Sequence, residues 1–258
     1  MRFKISLEYE GTKYSGWQIQ KSLRTVQGEL LSAAKKLFPN EKHIEFYGAG
    51  RTDAGVHAIN QVAHLEVTTS LIPDHIRQKL NDELPNDINI LKVEKTTDEF
   101  HARHDAKARS YIYQVSRRRS AFGKKFNWWV KDSLDVKKMQ AATALFVGLK
   151  DFQSFSDDTP EEKSTKVELM FIDIYEEGSL IIFHIVGSHF LWKMVRRIVG
   201  VLIEVGRGKM KDDDIKQLFA SYSNEPAKLT VPPTGLFLER VYYGTEKIKH
   251  DFQRFMRI

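Results

Sequence analysis

The chain has 258 residues, enough for one large domain or two small ones, each with a hydrophobic core. It contains no cysteine, which excludes disulfides, thiolate chemistry and cysteine-based zinc sites. Forty Lys and Arg against 34 Asp and Glu leave a net charge of +6, which suits a polyanionic partner as well as a solvated basic surface.

In chain order, residues 2 to 9 alternate, with Phe3, Ile5, Leu7 and Tyr9 on one face. This predicts a half-buried strand rather than a signal peptide. The run TVQGELLSAAKKLF spaces Val26, Leu30, Ala33, Ala34 and Leu37 for a helix, with Thr25 as N-cap. HIEFY is a short strand, and Ala63, Leu65 and Val67 share the face of another. PDHIRQKLNDEL opens with proline and repeats Ile76, Leu80 and Leu84 every four residues, so it predicts a helix. DINILKVEK and RSYIYQV read as strands, and DVKKMQAATALFVG as a helix stopped by Gly148. KVELMFIDIYEEGSLIIFHIVG reads as a hairpin and FLWKMVRRIVGVLIEVG as a long helix unless Gly200 bends it; GLFLERVYY closes as a strand. No run reaches the length of a membrane span, which points to a cytoplasmic protein without a membrane partner. The irregular alternation predicts an α+β fold of two units, each a mostly antiparallel sheet backed by helices. The expected division is 1–105, 106–245 and a tail, 246–258, that would pack as a terminal helix. The polar stretch SDDTPEEKST, 156 to 165, is expected to be a mobile loop.

Two segments concentrate positive charge: His101 to Arg119 and Ser188 to Lys211 each carry six Lys or Arg and one acid, interleaved with aromatics. That mixture fits phosphate neutralisation beside base stacking. The loop GAGRTDAGVHA, Gly48 to Ala58, combines three glycines, Arg51, Asp53 and His57. It lacks the third glycine of a dinucleotide fingerprint and no helix follows it. Glycines let a large ligand approach the main chain. Arg51, two residues before Asp53, is placed to keep it ionised, and an ionised carboxylate serves as nucleophile or general base. The bland alternative is a turn in which Asp53 caps neighbouring amides and Arg51 is solvated. His101 and His104 form H-x-x-H without an evident third ligand.

GRTDAGVHA resembles the signature of the tRNA pseudouridine synthase A (TruA) family. The segments YEGTKYSGWQIQ, LNDELPNDINI, FHARHDAKARSYIY, FLWKMVRRIVGVLIEVG and PPTGLFLERVYY resemble five further motifs of that family, in the same order, across residues 3 to 243. The resemblance implies a pseudouridine synthase fold with a basic cleft between its two units. The implied activity is isomerisation of uridine at positions 38 to 40 of the tRNA anticodon stem-loop, by a homodimer. Asp53 takes the place of the catalytic aspartate, and Arg51 that of the arginine that helps push the target nucleotide from the RNA stack. Tyr111 takes that of the tyrosine packing on the target base, and Arg196 that of an arginine pairing with the carboxylate or the RNA. Arg197 falls on an unspecified position. Because nothing is oxidised and no group is donated, the reaction requires neither metal nor cofactor. The sequence departs from the family at GLKDF, where Lys150 stands in place of a histidine; lysine keeps a cation for phosphate but does not shuttle protons near neutral pH. Two other readings stand beside this one: an RNA-binding or tRNA-chaperone module without turnover, and a metal-dependent nuclease using Asp53, His57 and His64.

Overall fold

The structure is a computed structural model that describes residues 1–158 and 164–252. In chain order its elements are β1 (Arg2–Tyr9), α1 (Val26–Leu37), β2 (Glu45–Gly48), β3 (His57–Glu66), α2 (Pro73–Glu83), β4 (Ile88–Thr96), β5 (Ala106–Ser116), β6 (Trp128–Trp129) and α3 (Val136–Ala142). They continue with β7 (Gly148–Asp151), β8 (Lys166–Glu177), β9 (Leu180–Gly187), α4 (Met194–Gly206), α5 (Asp212–Ala220), α6 (Glu225–Lys228) and β10 (Leu236–Tyr243). They form two units, Met1–Lys107 with Phe237–Lys247, and Ala108–Leu236 with the chain from Ile248 onward. Each is a mostly antiparallel sheet with helices, an α+β architecture. The expected second domain ended at 245. Instead the strand that closes the sequence belongs with the first unit, because Phe237 and Leu238 pair in parallel with His57 and Ala58. Among the described residues no helix is long and apolar enough to cross a membrane.

In the first unit β1 is central, antiparallel to β3 and β4, and β2 adds to β3 beyond the β10 pairing. The alternation of β1 puts Phe3, Ile5, Leu7 and Tyr9 in the core; burying a side chain such as Leu7 contributes about 1.5–3 kcal/mol. Helix α1 starts where Thr25 Oγ1 accepts the Gly28 N–H, and α2 starts at Pro73, whose missing N–H costs nothing in the first turn. In the second unit the strands run β5, β9, β8, β7, antiparallel throughout, with β6 parallel to the end of β5. Helix α4 is apolar on nearly all sides and buried. It continues through Gly200 because a Cβ there would lie 1.9 Å from the Leu229 carbonyl oxygen, so the glycine serves close packing rather than a bend.

Three expected boundaries shift. Helix α3 gives way to a 3₁₀ turn at Thr143, whose Oγ1 donates to the Gln140 carbonyl, and Gly148, at φ 96°, opens β7. Helix α4 begins at Met194 rather than Phe190, since Lys193 is left-handed at φ 63° and the Trp192 N–H is taken by Asp158 at 2.7 Å. The tail is not helical through Phe252. Instead the His250 ring stacks on Phe171 at 4.0 Å and meets Asp173 at 2.6 Å. Of the loop expected to be mobile, residues 159–163 lie outside the described residues, as do 253–258 of the tail.

Candidate active site

The loop between β2 and β3 is held by the segment that follows β1. Trp17 N–H donates to the Thr52 carbonyl at 3.0 Å and Gly55 N–H to that of Tyr14 at 3.3 Å. Gly11 N–H donates to His57 Nδ1 at 2.9 Å, and Tyr9 Oη bonds Thr52 Oγ1 at 2.8 Å. From β3, Gln61 donates to the Gly50 carbonyl at 2.9 Å. The two segments approach until only glycine fits: a Cβ on Gly11 would lie 1.9 Å from Val56 O, and one on Gly48 would lie 2.6 Å from the buried Trp17 ring. Within the loop Val56 N–H closes a reverse turn onto the Asp53 carbonyl, with Gly55 at φ 78°. Thr52 is buried and Asp53 half-buried, so a rigid frame presents the carboxylate at the surface. Arg51 is exposed and forms no ion pair among the described residues. The expected Arg51–Asp53 pair is therefore not made, and Arg51 stays exposed. Arg51 instead lines a shallow recess with Trp17, Gln18, Tyr47 and Arg103.

The histidines have structural partners. His57 is 1% exposed and stacks on Phe237 at 4.8 Å. His64 accepts the Ala102 N–H at 3.1 Å and lies against Tyr47 and His101, and His101 against His104. Seven residues apart on one strand, His57 and His64 lie roughly 20 Å from each other. The nuclease arrangement of Asp53, His57 and His64 is thus not assembled. The one grouping of possible metal ligands among the described residues, His43, Glu45 and Glu66, includes none of them.

Burial, helped by Arg2 and His101, lowers the His64 pKa from 6.5 to about 4, and burial beside His104 lowers that of His101. Above 6.5 both rings are neutral in either state, and their contribution to stability is fully present. As pH falls from 6.5 toward 4 the unfolded chain takes up protons first, so that contribution is lost. The melting midpoint is expected to drop by a few degrees between pH 7 and 5. His64→Asn, which keeps an acceptor for Ala102, is expected to flatten that slope; an unchanged slope would place the titration elsewhere.

In the second unit Tyr111 sits on β5, 8% exposed, its ring edge-on to Phe190 at 5.0 Å. Arg196, in the first turn of α4, donates from Nε to the Val231 carbonyl at 2.7 Å, which fixes its orientation. Its neighbour Arg197 turns inward and is 3% exposed. Arg197 pairs with Asp157, which also takes Lys193 Nζ at 2.6 Å. Burial works against the charge on Asp157, but the Lys193 and Arg197 cations outweigh it and hold its carboxyl below the usual range. Asp157 and Asp158 thereby clamp the start of α4, a function that the sequence reading gave to neither. Lys150 on β7 lies 5.4 Å from the centre of the Phe219 ring, a cation–π contact.

The family profile described as tRNA pseudouridine synthase matches residues 5–105 and 142–244. The chain belongs to the tRNA pseudouridine synthase family. Arg51, Asp53 and Arg196 fall inside the family match, and Tyr111 in the stretch between its two parts. Among relatives, the tRNA pseudouridine synthase A of Thermodesulfovibrio yellowstonii is 38% identical, the alignment covering 94% of this chain and 100% of that protein. The protein of the same name from Geobacillus kaustophilus is 38% identical over 97% of each chain. The tRNA pseudouridine synthase A 2 of Bacillus cereus is 36% identical over 93% of this chain and 99% of its own length. In this family member the glycine-framed loop and the segment bracing it both lie within the first matched stretch.

Proposed function

We propose that this protein isomerises uridine to pseudouridine in tRNA. The observation that carries the reading is the half-buried Asp53, framed by backbone bonds from the Gly11–Trp17 segment, in a chain that belongs to the family along most of its length. The reaction breaks the N1–C1′ bond, turns the uracil, forms C5–C1′ and moves the C5 proton to N1 or solvent. It is redox-neutral and transfers no group to a second molecule. Asp53 supplies the carboxylate at the sugar–base junction, as nucleophile or as base. Tyr111 supplies a ring for the detached uracil, already backed by Phe190. The exposed Arg51 guanidinium takes the place of the extruded base, and Arg196 meets the negative charge of carboxylate or phosphate. Extrusion costs a few kcal/mol, repaid by stacking and ionic contacts.

The finer reading follows from the motif resemblance: the target is uridine 38, 39 or 40 of the anticodon stem-loop, and the enzyme acts in the cytoplasm as a homodimer. Recognition of a paired stem then rests on shape and phosphates rather than base edges. Incubating the protein with unmodified tRNA and mapping pseudouridine by carbodiimide labelling tests this directly. Labelling at 38 to 40 is the expected result; none anywhere would overturn the activity, and labelling elsewhere would overturn the site. Light scattering gives the mass, expected at twice that of one chain.

A further inference from the structure

The stretch between the two family-matched segments contains a loop whose chemistry is uniform. From Arg117 to Lys131 the sequence is RRRSAFGKKFNWWVK, six cations without one acid. The loop is built rather than slack. β6 pairs with the end of β5, and Val130 N–H returns to the Ser116 carbonyl at 2.9 Å. Gly123, at φ 72°, accepts from Phe126 N–H at 2.8 Å and from the Asn127 side chain at 2.9 Å. Ser116 Oγ donates to the Arg118 carbonyl at 2.7 Å, and the Gln114 side chain to that of Phe126 at 3.2 Å.

This frame holds Phe122 82% exposed at the loop's tip. Arg118 and Arg119 precede the ring and Lys124 and Lys125 follow it, all exposed. The Arg119 guanidinium lies 5.8 Å from the ring centre of Trp129, itself 41% exposed. Arg117 is set apart, pinned by Glu176 at 2.7 Å and the Gly178 carbonyl at 2.9 Å. One exposed ring alone is unremarkable in a soluble protein. A ring bracketed on both sides by paired cations, on a hydrogen-bonded frame, repeats the alternation of base and phosphate along a nucleic-acid strand.

We propose that this loop is a second RNA contact, apart from the residues that act on the target uridine: Phe122 stacks on an unpaired base, and Arg118, Arg119, Lys124 and Lys125 neutralise the phosphates beside it. The proposal rests on the reading that the protein acts on tRNA. An unpaired tRNA nucleotide suits it better than an acidic peptide, which would meet the cations but leave the ring without a planar partner.

The test is equilibrium binding of unmodified tRNA across a salt series, with the full chain. Phe122→Ala is expected to raise Kd about tenfold, and Phe122→Tyr, which keeps a ring, to restore it. Replacing the four cations with glutamine is expected to lower the slope of log K against log salt by about three. Because the side chains are exposed, melting midpoints should stay near that of the parent. Unchanged affinity in Phe122→Ala, or an unchanged salt slope, overturns the proposal. So does a halved mass in light scattering, which would make the loop a contact between subunits. Pseudouridine formation by the parent protein is scored separately: if it fails while these binding effects hold, the functional reading falls and the RNA contact stands.

Discussion

Asp53→Asn is expected to abolish pseudouridine formation while leaving tRNA affinity within about threefold of the parent. Asparagine has the shape of aspartate but neither its charge nor its capacity to attack a sugar or hold a proton. Losing a general base costs about 10²–10⁴-fold in rate, and losing a nucleophile more. The bonds that frame the loop do not run through that charge. The loop is held by Tyr9 on Thr52, by Gly11 on His57 and by Trp17 on the Thr52 carbonyl, none of which uses the Asp53 carboxylate. The melting midpoint should therefore move little. Single-turnover conversion of labelled uridine in tRNA, with affinity from filter binding, separates the two roles. Wild-type conversion by the variant would remove Asp53 from the chemistry. Loss of affinity together with rate would make it a binding residue, and an RNA-binding module without turnover would show no rate to lose in the parent.

The regular elements were legible because each carries a local signal. The two-residue period of Phe3, Ile5, Leu7 and Tyr9, the Thr25 cap and Pro73 each act within a few residues, and the structure uses them as read. The site loop was legible in composition alone, since three glycines around one carboxylate are an unusual use of a loop. What holds it was not. Gly11 meets His57 across 46 positions, a long-range fit of backbone to side chain that leaves no period in the sequence. The return of Phe237–Lys247 to the first unit was hidden for the same reason: a strand's partner is not written in its own alternation. The Arg51–Asp53 pair illustrates the opposite error. Two residues apart looks like proximity, but spacing in sequence does not fix where two side chains go, and Arg51 stays exposed without an ion pair among the described residues. Short elements escaped as well. Helix α5 buries only Ile215 and Leu218 and depends on Asp214 accepting the Lys211 N–H, too little apolar pattern to register. The start of α4 depends on Asp158, more than thirty residues earlier in the chain.

If the bracing segment sets the position of Asp53, a methyl group placed in it should impair catalysis more than stability. Gly16→Ala is one such change. Gly16 lies at φ 89°, where a Cβ costs about 1–2 kcal/mol in any setting. Here the new Cβ would also stand 2.6 Å from the Thr52 carbonyl oxygen, 3.2 Å from the Asp53 carbonyl carbon and 3.3 Å from Ala54 N. All three are backbone atoms of the loop, so no rotamer relieves the contact and the loop itself must retreat. A displacement near 1 Å at a reacting group costs about 10²-fold in rate. Gly178→Ala separates that effect from strain. Gly178 also has a positive φ, 57°, but a Cβ there meets nothing within 4 Å, and it sits in the β8–β9 hairpin. Both variants should melt a few degrees lower, whereas only Gly16→Ala should lose kcat by about 10²-fold. Equal kcat in the two would mean that the loop keeps its place without the brace. A compensating retreat of the Gly11–Trp17 segment would then have to leave the Trp17 bond to Thr52 broken, which exchange of the Trp17 amide with deuterium would reveal.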